Sequence, residues 1–89
     1  MSVTTKRKRL NWSIIKGDLA EAAEELERLQ SLASKGKLSE VQLQIGLCHA
    51  YHHLNFAWNA RYVPTAQYRH LTQRQFERWG KYPSQIEKL

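Results

Sequence analysis

The chain reads as a small all-α protein: an antiparallel helical hairpin with a third, shorter helical segment folded across it. Three observations predict this. Apolar residues recur at spacings of three and four over two long stretches. No strand-like alternation of apolar and polar residues is sustained. The four glycines and two prolines fall mostly where helices should begin or end.

The first helix is marked by Leu19, Ala22, Leu26, Leu29 and Ala33. Asp18 with Glu21 resembles a capping box, in which two side chains and two backbone amides satisfy one another. Trp12 and Ile15 extend the stripe backwards, which moves the expected start to Asn11 or Ser13. Gly36 suits a left-handed C-terminal turn. Glu24, Glu25 and Arg28 are expected on the exposed face.

Ser39 with Gln42 is a second capping-box pair, opening a helix expected to run to about Tyr62, since Pro64 disfavours helix at the residue before it. The connection of four or five residues makes a hairpin with the first helix. On a helical wheel, Leu43, Leu47, Ala50, Tyr51, Leu54, Ala57 and Trp58 form one broad face, expected to meet the first helix. Val41, Ile45, Cys48 and Phe56 form a second ridge, with His52 on it. His49 and His53 share the least apolar sector with Gln42, Gly46 and Ala60, expected at the solvent edge. The third helical region spans about Thr65 to Trp79. Thr72 with Gln75 is a capping-box pair that would divide it. Gly80 supplies a stop, and Pro83 opens a last turn through Ile86 and Leu89.

The 89 residues make one domain, 11–89, preceded by a basic tail, 1–10. Hydrophobic residues at 42% suffice for a modest core and exclude a disordered tail. No apolar run is long enough to cross a membrane. The residues after Lys6, Arg7, Lys8 and Arg9 are too polar for a signal-peptide core, so a cytoplasmic protein is expected. A single cysteine, Cys48, cannot form an internal disulfide. Net charge is +6, and it is unevenly spread. Residues 1–9 carry four positive charges, residues 10–60 a net of −2, and residues 61–89 a net of +4. Basic ends around a near-neutral middle attract polyanions.

No nucleophile elbow, phosphate loop or acid–base carboxylate pair is present, so no catalytic residue, cofactor or small-molecule substrate is inferred. Cys48 falls mid-helix on an apolar ridge, where a thiol is usually inert. The leading expectation is a non-catalytic module that binds a protein partner or itself. A helix with two apolar faces needs two covers, and this chain is short. The partner-facing residues are then Cys48 and Phe56 for packing, and His52 and Asn59 for hydrogen bonding. Asn55 and Asn59, at i and i+4, are either register-setting polar residues in the seam or residues of its wet margin. The alternative is a nucleic-acid-binding accessory protein. It would use Lys6, Arg7, Lys8, Arg9, Arg69, Arg74 and Arg78 on phosphates, with Tyr68 or Tyr82 stacking on bases. Against this, Phe76, Trp79 and Leu71 have the spacing of a packing face. The third reading is a metal site at His49 and His53, whose i, i+4 spacing lets two imidazoles share an ion.

Overall fold

The computed structural model describes residues 9–82. Lys6, Arg7, Lys8 and the turn expected after Pro83 lie outside the described residues. Within them the chain is helical, with α1 at Trp12–Ser34, α2 at Glu40–Asn59, α3 at Thr65–Arg69 and α4 at Gln73–Trp79.

Each helix boundary has a local cause. Asn11, not Asp18, caps α1: its side-chain oxygen accepts from the Ile14 amide at 3.3 Å. Asp18 lies well inside the helix and is buried. The other end of α1 closes as the glycine spacing predicts. Gly36 takes φ 67°, the Lys37 amide donates to the Leu32 carbonyl and the Gly36 amide to the Ala33 carbonyl. That pair of bonds satisfies carbonyls which a helix end otherwise leaves open. Ser39 and Gln42 form the reciprocal capping box of α2, and Thr72 and Gln75 that of α4. The third region is therefore two short helices. The second helix ends at Asn59, about a turn before Tyr62. Its last amides tighten onto nearer carbonyls, and the Arg61 carbonyl instead accepts the Asn11 amide at 2.6 Å.

α1 and α2 lie side by side, with Asp18 opposite His53, Glu25 opposite His49 and Leu29 opposite Gly46. Their seam corrects the wheel reading of α2. Gly46 and Ala50 are buried at it, and His53 faces Asp18. Gly46 and His53 were expected at the solvent edge. Leu43, Tyr51 and Leu54, expected to meet α1, stay exposed, as do Leu19 and Leu26 of α1. The cause is steric. A Cβ built on Gly46 would come within 2.5 Å of the Leu29 side chain, so the helices touch where side chains are smallest. A wheel weighted by hydropathy centres on the largest ones instead. Glu25, expected outside, likewise turns toward His49.

The main core forms where the start of α1, the end of α2 and the C-terminal helices meet. Ile14, Phe56, Ala60 and Trp79 are buried together, with Val63, Tyr68 and Leu71 packed against them. Phe56 meets Tyr68, Phe76 and Trp79 edge-to-face, and Tyr68 stacks on Trp79. Such pairs contribute about 0.5–1.5 kcal/mol each beyond the area they bury.

The two helical glycines should respond oppositely to alanine. Nothing lies within 4 Å of a Cβ at Gly17. Gly17→Ala should raise stability by about 0.5–1 kcal/mol by restricting the unfolded chain. Gly46→Ala must displace buried Leu29, and overpacking of about 1–3 kcal/mol exceeds the propensity gain. Urea unfolding of both variants measures the difference; a stabilised Gly46→Ala would contradict the tight seam.

Candidate functional site

The polar residues between the helices form one connected chain. Asp18 is the only buried charged residue among those described, 5% exposed. A buried carboxylate is costly unless its oxygens accept hydrogen bonds. Here His53 Nδ1 approaches Oδ1 at 2.9 Å, and the Tyr68 hydroxyl donates to Oδ2 at 3.1 Å. Residues of α1, α2 and α3 thus meet on one side chain. Burial first, and then the Asp18 charge, push the Tyr68 hydroxyl far above its ordinary range. Both effects favour the protonated hydroxyl that donates to Asp18.

A turn along the seam the pattern repeats. His49 Nδ1 lies 2.9 Å from Glu25 Oε1, and Arg28 Nε donates to Glu25 Oε2 at 2.9 Å. The His49 bond, and then Arg28, hold the Glu25 carboxyl below its usual range. The two imidazoles close the chain, with His53 Nε2 3.1 Å from His49 Nε2. A carboxylate that accepts at each Nδ1 would place a proton there and leave the two Nε2 atoms, which approach each other, as the available nitrogens. Among the described residues no set of three or more His, Cys, Asp or Glu converges to enclose a metal ion. The arrangement is a pair of histidines with a carboxylate behind each. The pairing of His49 with His53 was legible as i, i+4 spacing. Asp18 and Glu25 were not, because one resembled a cap and the other a solvated acid.

Both histidines line a cleft of about 310 Å³ walled by Phe56, Tyr68, Leu71 and Phe76. His52 forms part of the same wall, packed on Phe56 and Phe76 at 4.4 and 4.6 Å between ring centres. Gly80 leaves room for it, since a Cβ there would come 2.8 Å from His52 Nδ1.

The expected partner ridge divides. Cys48 is exposed. Phe56 is buried in the chain's own core. Asn59 donates to the Trp79 carbonyl at 2.7 Å and the Lys81 carbonyl at 2.8 Å, while Asn55 donates to the Gly80 carbonyl at 2.7 Å. His52, Phe56 and Asn59 therefore meet α4 of this chain, and their surface is filled from within. On the basic side, Arg9, Arg69, Arg74 and Arg78 are exposed, whereas Tyr68 and Trp79 turn into the core. Of the two stacking candidates only Tyr82 is exposed.

A different surface stands open. Leu19, Leu26, Leu43 and Leu54 are 47, 44, 39 and 40% exposed. The helical phases of the seam put them on one face of the α1–α2 layer, opposite α3 and α4. A groove of about 300 Å³ runs along that face between Leu10, Ile15, Leu54, Ala57, Trp58 and Arg61. The Arg61 guanidinium lies over the Trp58 ring at 3.8 Å.

Burial lowers the His52 imidazole below its ordinary range, His53 and His49 add to this, and Asp18 opposes it. The fold therefore favours neutral His52. The unfolded chain takes up the proton first, near pH 6.5, so this contribution is full above that pH. It falls away as pH drops from there toward the lower folded value. His52→Gln should flatten the fall in melting temperature between about pH 7 and pH 5; an unchanged profile would assign the acid sensitivity elsewhere. No protein-family model, curated protein or solved structure matches this chain.

Proposed function

We propose that the chain is a non-catalytic helical assembly module that pairs with a second copy through the uncovered face of α1 and α2. It would do so as an antiparallel hairpin with the shorter C-terminal segment packed across its other side. The observation that carries this is the position of the leucines. The seam between α1 and α2 uses Ala22, Leu29, Gly46 and Ala50, while Leu19, Leu26, Leu43 and Leu54 point away. A two-helix layer with one apolar face is half of a four-helix bundle.

Charge favours a second copy as the occupant. The face is uncharged along its length and carries opposite charges near its ends. Glu40 opens α2 about five turns before Trp58 and at the same helical phase; Arg61 lies over Trp58 at the other end. A two-fold axis across the helices brings each Arg61 toward the Glu40 of the other copy, as an isologous interface requires.

Light scattering on the eluting protein should give about twice 10.5 kDa, falling with dilution. Leu19→Lys combined with Leu54→Lys should give monomer with unchanged helicity, because both positions are already partly in water. A wild-type protein that stays monomeric at millimolar concentration would overturn the reading.

A second reading, polyanion binding, rests on the joint exposure of Arg9, Arg69, Arg74 and Arg78. Four phosphate contacts would give a log–log salt slope of about −3.6 on duplex DNA, from about −0.9 per contact. Replacing Arg69, Arg74 and Arg78 by Gln should flatten that slope by about 2.7. A slope unmoved by the triple variant would place the contacts outside this surface.

A further inference from the structure

We infer that His49 and His53 bind one divalent transition-metal ion through their Nε2 atoms, a site separate from the proposed pairing face. Three features of the geometry converge on this class of ligand.

The first is separation. Metal–imidazole bonds are about 2.0–2.1 Å long. Two such nitrogens on one ion lie roughly 2.9 Å apart at a right angle and roughly 3.3 Å apart at the tetrahedral angle. The observed Nε2–Nε2 distance is 3.1 Å, between the two.

The second is orientation. Asp18 faces Nδ1 of His53 and Glu25 faces Nδ1 of His49, each at 2.9 Å. A carboxylate behind each imidazole fixes the tautomer and ring angle and raises the basicity of the ligating nitrogen. Both acids stand on α1 and both histidines on α2, so the ring positions are set by the helix seam rather than by a loop. An Nε2–Nε2 approach of 3.1 Å is held by a proton or a cation between the two nitrogens.

The third is charge. The Asp18 and Glu25 carboxylates offset part of a dication's charge, with Arg28 balancing part of Glu25. No third protein ligand converges among the described residues. The other coordination positions go to water or to a small ligand, from the solvent that reaches half-exposed His49 or from the adjoining cleft. Imidazole with open positions suits Zn²⁺, Ni²⁺ and Cu²⁺.

The test is calorimetric titration of untagged, chelator-treated protein with Zn²⁺, alongside Cu²⁺ electron paramagnetic resonance. Saturable binding at one ion per chain is expected, with nitrogen couplings from two imidazoles. His49→Ala should lose the saturable site and one set of couplings. Because His49 is half exposed, this variant should fold, which circular dichroism checks. Glu25→Gln should weaken binding about 10–100-fold while keeping both nitrogens. No saturable binding up to roughly 1 mM Zn²⁺ would overturn the site and leave the pair bridged by a proton. Binding that survives His49→Ala would overturn it equally.

Discussion

The buried carboxylate of Asp18 is the constraint around which the rest of the molecule is arranged. A charge so enclosed cannot be left without donors, and the chain supplies them from two separate elements, His53 on α2 and Tyr68 on α3. Removing either donor would leave part of a buried carboxylate unsatisfied, a cost of about 1–3 kcal/mol. Asp18 therefore fixes more than a local contact. Together with the Gly46 contact it holds the rotation of α2 against α1, and it ties α3 to α1, where Tyr68 meets Phe56 and Trp79. Polar joining of this kind suits a short chain with few large buried side chains.

The seam beyond Asp18 follows the opposite rule and is held by smallness. Gly46 and Ala50 let α2 come close to α1, and Leu29 fills the space a Cβ would have taken. Close approach moves the large leucines off the seam and onto its flanks. One flank is covered by α3 and α4, and the other is the leucine face. The open face is thus a direct result of how the two helices touch, and it explains why a chain with ample leucine retains so small a core.

Much of this fold was legible in the residues. Capping pairs such as Ser39 with Gln42 and Thr72 with Gln75 are local chemistry, complete within four positions, and Gly36 announces a backbone angle that other residues avoid. Rotation of α2 was not legible, because hydropathy alone ranks a glycine and a histidine as surface residues. It cannot see that the first permits contact and the second answers an acid far off in the chain. Asp18 misled for a related reason: Asp followed by Glu three residues later fits a helix start, and only the tertiary partners show it to be interior. The i, i+4 histidines were visible as a pair, but the carboxylates that orient them come from the other helix, a relation no spacing encodes.

Asn11 gives the molecule a further property. Its oxygen holds the first turn of α1, while its side-chain nitrogen donates to the Val63 carbonyl at 2.8 Å and to Thr65 at 3.1 Å. One amide group therefore serves as both a helix terminus and a clasp across more than fifty positions of chain. Fraying of the first turn and opening of the α2–α3 connection become a single event. The start of α1 is tied to the α2–α3 connection, and hydrogen exchange at the beginning of α1 should report on the closure of that connection.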